Sequence, residues 1–163
     1  MSPQTPLHEI GRHQLAQICT SKQWQNLVLA AGPFKAFAEF TRAADQAFDS
    51  LSEQDWLEAF AGHPMIGDIS SLRAKYAHGK HLSEAEQSQV SEASEQTLQA
   101  LLEQNQCYRE RFGFIFIVFA TGKSASEMLA LLEARIINTR QQELANAAAE
   151  QRKISLLRME AYR

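Results

Sequence analysis

With 163 residues, 45% of them apolar and 21% charged, the chain has the size and composition of one globular domain with a real hydrophobic core. A formal net charge of −3 offers no basic footprint for nucleic acid or an anionic membrane, and the longest apolar run, Phe114 to Ala120, is far too short to span a bilayer. With no secretory leader, no peroxisomal Ser-Lys-Leu ending and two cysteines (Cys19 and Cys107) outside any CxxC pair, a cytoplasmic protein with reduced thiols is expected.

Helical periodicity dominates. Leu7, Ile10, Leu15 and Ile18 predict a short first helix. Thr20 or Ser21 can cap a second, with Trp24, Leu27, Val28 and Ala31 on one stripe and a stop at Gly32. Pro33 suits the first turn of a third, carrying Phe34, Phe37, Phe40, Ala44 and Phe48. Ser52 caps a fourth, with an acidic first turn from Glu53 to Asp55 and with Trp56, Leu57 and Phe60 facing inward.

That helix stops at Gly62 and runs into His63-Pro64-Met65-Ile66-Gly67-Asp68. Pro64 fixes its own φ and keeps His63 out of the α region, so the backbone sets the direction in which the imidazole leaves. Gly67 permits a tight turn, and histidine titrates nearest neutrality. Alone, the hexapeptide reads more readily as a connection between helices with an exposed His.

Ser71 to Ala77 predict a short helix, followed by a polar connection around His78-Gly79-Lys80-His81. Ser83-Glu84-Ala85-Glu86 then opens a long helix to about Asn105, burying Val90, Ala93, Thr97, Leu98, Leu101 and Leu102. Tyr108 and Phe112 continue the pattern until Gly113. Phe114 to Ala120 is aromatic or β-branched nearly throughout, so an extended segment buried on every side is expected. No second strand is available, and its backbone groups must find a neighbouring helix or a polar ligand. Ser124-Ala125-Ser126-Glu127 is another capping box, starting a helix through Leu129, Leu132, Ile136 and Ile137 to Asn138. A last helix carries Leu144, Ala147, Ala148, Ile154, Leu157 and Ala161 inward, with Arg158 on the margin. The expectation is a single all-α domain over residues 1–163, with about eight helices and one buried extended segment.

The chemistry of isolated motifs is weak. His78-x-x-His81 has a possible ligand spacing but sits in a Gly/Lys connection without Cys or HExxH partners, so a solvated loop explains it better. His8 and His13 read as surface residues. Gly122-Lys123-Ser124 resembles the end of a phosphate loop, but that motif needs Gly where this chain has Ile117. No GxSxG elbow occurs. Ser83-x-x-Glu86-Gln87 satisfies helix donors by itself, and the same helix end is also a rigid seat for a catalytic carboxylate. Arg158 can snorkel or pair with a surface acid. Singly, His63, Glu86 and Arg158 are each more readily structural than functional.

The order of the motifs along the chain is far more specific than any one of them. Cys19 to Trp24, Pro33-Phe34, Ala59 to Asp68, Ser83 to Gln87, Asn105 to Tyr108, Arg111 to Phe116, Arg135 to Asn138 and Lys153 to Arg158 together resemble the OHCU decarboxylase family. These enzymes decarboxylate 2-oxo-4-hydroxy-4-carboxy-5-ureidoimidazoline to (S)-allantoin, the last step from urate to allantoin. The resemblance implies an all-helical fold, usually a homodimer, that works without metal or organic cofactor. By position, His63, Glu86 and Arg158 match the family's catalytic residues. Pro64, Ser83, Glu84, Ala85, Gln87 and the backbone of Phe116, Ile117, Val118, Phe119 and Ala120 match its substrate contacts. The proton donor is then His63, with Glu86 orienting it or accepting the hydroxyl proton. Two departures stand out: Met65 and Gly32 occupy places where the family commonly has Arg. The Met65 change leaves open an alternative, a same-fold ligand-binding or interaction domain without turnover.

Overall fold

The computed structural model describes residues 5–65, 69–75 and 84–163, with side chains described for 5–65, 70–74 and 95–163. Eight α-helices and no strand occur among the described residues: α1 (Arg12–Ile18), α2 (Lys22–Ala31), α3 (Phe37–Asp49), α4 (Glu53–Ala61), α5 (Ile69–Lys75), α6 (Glu84–Phe112), α7 (Ala125–Arg135) and α8 (Arg140–Met159). Their contacts divide into two compact units. One comprises Met1–His63, Ile117–Phe119 and Leu144–Arg163; the other comprises Pro64–Phe116 and Ala120–Glu143.

In the first unit, local capping chemistry sets most helix ends. Ser21 is the cap of α2 and accepts from the Trp24 amide at 3.2 Å, and Gly32 closes that helix. Ser52 and Asp55 form a reciprocal box at the start of α4, satisfying donors that the first turn would otherwise leave orphaned. Trp24, wholly buried, donates its indole N–H to the Ala44 carbonyl at 3.1 Å and stacks on Phe48, which stacks in turn on Trp56. A buried indole needs such an acceptor. The third helix begins at Phe37 rather than Pro33. Phe34 instead turns inward ahead of the helix, and its ring centroid lies 5.3 Å from that of Phe40.

The inward face of α8 also differs from the expected one. Its buried residues are Glu143, Ala147, Gln151, Ser155 and Met159, a stripe at intervals of four. Leu157 is 49% exposed, as is Leu156, while Ala161 lies exposed in the closing 3-10 turn. Three of the five buried positions are therefore polar.

The second unit is built on α6, which runs unbroken to Phe112. Gly113, at φ 82°, then turns the chain through the left-handed region that only glycine enters without strain. Tyr108 and Phe112 pack at 4.5 Å, and the Arg135 guanidinium lies 4.6 Å over the Phe116 ring. Glu143 is wholly buried yet satisfied: it accepts from the Tyr108 hydroxyl and Arg135 Nε, both at 2.7 Å, and from Asn138 Nδ2 at 2.9 Å. Helix α7 ends at Arg135, earlier than the expected Asn138, and Ile137 is 78% exposed. Residues 115–120 form neither helix nor strand. Phe114, Phe116 and Ile117 are buried, whereas Ile115, Val118, Phe119 and Ala120 are half-buried, so the segment is covered on fewer sides than its composition predicts.

Candidate active site

His63 leaves the last turn of α4 at a point fixed from behind. Its amide donates to the Phe60 carbonyl at 3.2 Å, and the Gly62 amide donates to Ala59 at 3.3 Å. Gly62 lies directly against Thr20, whose hydroxyl sits 3.0 Å and 3.2 Å from the Glu58 and Ala59 carbonyls. A Cβ on Gly62 would stand 2.7 Å from the Thr20 Cβ and closer still to its Oγ1 and Cγ2. The glycine is required by close approach, since its φ of −76° is ordinary.

A chain of polar groups runs from the imidazole along α8. His63 Nε2 is 2.5 Å from Gln151 Oε1, Gln151 Nε2 is 3.0 Å from Ser155 Oγ, and Ser155 Oγ is 3.2 Å from the Ile18 carbonyl. Arg158 donates from Nη1 to the same carbonyl at 3.1 Å and to that of Gln17 at 3.4 Å. Gln17 and Ile18 are the last residues of α1, whose terminal carbonyls lack intrahelical donors. Arg158 therefore supplies a missing cap to a helix some 140 positions earlier in the chain. Among the described residues its partners are these two carbonyls rather than an acid. Gln151, outside every sequence motif, and Ser155, inside the Lys153 to Arg158 stretch but given no role there, carry the connection. Both share the i, i+4 spacing with Glu143 and Ala147.

Burial lowers the pKa of His63 below its ordinary value, and the nearby Arg158 charge adds to that; the Gln151 bond opposes both. The ring is thus a neutral imidazole at neutral pH. Cys19, buried beside Ser21, has its thiol pushed up to about 11 by desolvation and is no nucleophile.

In the second unit, Pro64 is exposed, and the Arg109 guanidinium places Nη1 2.9 Å from the Met65 sulfur. Arg109 thus brings a cation to the one residue of this loop where the resemblance expects an arginine. The α6 helix starts at Glu84, which puts Glu86 at its third position. Ser83 itself, Ile66 to Asp68, His78 and His81 lie outside the described residues, as do the side chains of Glu84 to Gln87. Along the irregular segment, the Phe119 amide donates to Glu150 Oε1 at 3.0 Å and the Ala120 carbonyl accepts from the Lys123 amide at 3.0 Å. A helix residue therefore meets part of the backbone demand that the sequence left open. Among the described residues no three His, Cys, Asp or Glu side chains gather as a metal-holding group, and no helix is long and apolar enough to cross a membrane.

A partly buried histidine and a guanidinium are thus both tied to one face of a helix in an all-α scaffold. The chain belongs to the OHCU decarboxylase family, whose model matches residues 9–160. It is 35% identical over 151 residues to the uric acid degradation bifunctional protein TTL of Arabidopsis thaliana, covering 93% of this chain but 47% of that protein. The chain thus spans about half the length of that relative. It is 28% identical over 127 residues to the 2-oxo-4-hydroxy-4-carboxy-5-ureidoimidazoline decarboxylase of Haloferax volcanii, covering 78% of this chain and 73% of the relative. Among solved structures, an OHCU decarboxylase crystallised in the presence of (S)-allantoin matches with a TM-score of 0.72 and 33% identity, over 91% of this chain and 96% of the other.

Proposed function

We propose that the protein decarboxylates 2-oxo-4-hydroxy-4-carboxy-5-ureidoimidazoline to (S)-allantoin and CO2, a carboxy-lyase reaction that needs no cofactor. The observation that carries this reading is the partly buried His63 tied through Gln151 and Ser155 to the same carbonyl that Arg158 caps. The family match and the named activity of its relatives support it. That match runs nearly end to end, which supports treating the chain as one family domain. A homodimer and a cytoplasmic location are part of the same proposal.

The substrate supplies its own electron sink, a C=N bond next to the carbon that loses CO2. When that C–C bond breaks, its electron pair moves into the adjacent C=N, and the ring nitrogen takes a proton from water. His63, neutral at the outset, accepts the 4-hydroxyl proton and returns a proton to the ring carbon bearing the ureido group, leaving the carbonyl of allantoin. His63 is thus a donor only after it has been an acceptor, which refines the donor role taken from the resemblance. Delivery to one face sets the hand of the product. Arg158 holds the anionic end by charge-assisted hydrogen bonds. Glu86 orients the hydroxyl, while Pro64, Ser83, Gln87 and the 116–120 backbone position the ring and ureido group, a role resting on their positional match to the family.

The experiment generates the short-lived substrate in situ and follows optically active allantoin by circular dichroism. The wild type is expected to accelerate its appearance, and His63→Ala to lose roughly 10²–10⁴ of that rate. A wild-type protein that leaves the spontaneous rate unchanged refutes the proposal.

A further inference from the structure

We propose that Gln151 and Ser155 are positioning residues that lock His63 in its Nε2–H tautomer, so that Nδ1 is the one ring nitrogen able to exchange a proton with substrate. The inference rests on the decarboxylase reading for its consequence, and on the hydrogen-bond chain alone for its geometry.

The direction of that chain is dictated by its far end. The Ile18 carbonyl can only accept, and Ser155 Oγ stands 3.2 Å from it. The serine hydroxyl has one proton, and it goes there. Its lone pairs then face Gln151 at 3.0 Å, so the amide must turn its NH2 toward Ser155. That leaves Oε1, a pure acceptor, 2.5 Å from His63 Nε2, and the ring must carry a hydrogen on that nitrogen. A side-chain amide can rotate by half a turn, whereas a backbone carbonyl at a helix end cannot. Gln151 and Ser155 are both wholly buried, so water is not there to accept a misdirected donor. The opposite amide orientation would set two acceptors, Gln151 Oε1 and Ser155 Oγ, against each other, or strip Ile18 of the serine proton. Helix α8 thereby plays, with neutral groups, the part that a carboxylate plays behind many catalytic histidines.

The test reads the ring directly. In histidine-labelled wild-type protein, with the His63 signal assigned by its loss in His63→Ala, nitrogen shifts are expected to show a protonated Nε2 and a bare Nδ1 above the ring's titration. Gln151→Leu removes the acceptor, and Ser155→Ala frees the amide to rotate. Each is expected to give mixed tautomers and a kcat/KM lower by about 10–100-fold, the usual effect of losing an orienting partner of an imidazole. Gln151→Glu restores an acceptor: the Nε2–H tautomer returns, and the acidic limb of the pH profile moves upward, a shift that a purely structural role would not produce. A wild-type ring protonated on Nδ1 overturns the proposal, and so do folded Gln151→Leu and Ser155→Ala proteins that both keep wild-type ring shifts. A wild type with the Nε2–H ring but no decarboxylation removes the proposed function and leaves the wiring intact.

Discussion

Replacing Gly62 with alanine tests how the histidine is held. The new methyl would stand 2.7 Å from the Thr20 Cβ, well inside contact distance. Rotation about χ1 can swing the Thr20 hydroxyl and methyl aside, but it cannot move the Cβ, so backbone must give way. Overpacking of this kind costs about 1–3 kcal/mol. Displacing Thr20 also breaks its hydroxyl's bond to the Glu58 and Ala59 carbonyls, worth about 0.5–1.5 kcal/mol net. The expected loss is therefore about 2–4 kcal/mol, a large share of an ordinary domain's stability. Urea unfolding should show a lower midpoint at unchanged slope. The cause is separable, because in a Thr20→Gly background there is no Cβ to strike. There, Gly62→Ala should cost less than about 0.5 kcal/mol, giving a strong coupling in the double-mutant cycle. A single Gly62→Ala within about 0.5 kcal/mol of wild type, or no relief from Thr20→Gly, would refute the steric argument.

Glu143→Ala should destabilise by about 3–5 kcal/mol in the same assay, because it strips Arg135, Tyr108 and Asn138 of their shared acceptor and breaks a buried ion pair by removing one partner. A loss below about 1 kcal/mol would mean that water reaches the site. For His63, burial favours the neutral ring in the folded state, so the unfolded chain binds the proton first as pH falls. The stability that this group contributes is complete above about 6.5 and is lost as pH drops through its lower folded value. Wild type should therefore lose more stability than His63→Ala on going from neutral to acid, and parallel urea midpoints would contradict the burial argument. The acidic limb of kcat/KM should likewise lie below 6.5. Arg158→Lys keeps the charge but loses the planar fork. It should lower kcat/KM by roughly 10–100-fold, the worth of a charged hydrogen bond, with a far smaller change in thermal midpoint.

Helix ends were legible in this chain wherever the physics is local. Ser21, Ser52 and Ser124 cap because a hydroxyl two or three residues from an orphan amide needs no tertiary partner. Gly113 stops α6 because its backbone alone allows the turn. Pro33 misled for the complementary reason: a residue suited to a first helical turn says nothing about whether Phe34 is needed elsewhere, and its packing on Phe40 delays α3 to Phe37. The whole resemblance, by contrast, came from the order of modest motifs along the chain, information that periodicity does not hold.

The least legible part was the inward face of α8, and the reason bears on the site. Reading a helix by its apolar stripe assumes that burial follows hydrophobicity. Here the buried stripe holds Glu143, Gln151 and Ser155, while Leu156 and Leu157 stay half in water. Burying a polar group without a partner is costly, so such a stripe is stable only if each member finds a partner from another part of the chain. Those partners are Tyr108 and Arg135 for Glu143, His63 for Gln151, and the end of α1 for Ser155. None is within a helical turn, and no window of sequence could reveal them. The same condition ties the histidine's placement to folding itself. Gln151 is satisfied only when His63 is present with a hydrogen on the facing nitrogen, so the arrangement that stabilises α8 is also the one that leaves Nδ1 for chemistry.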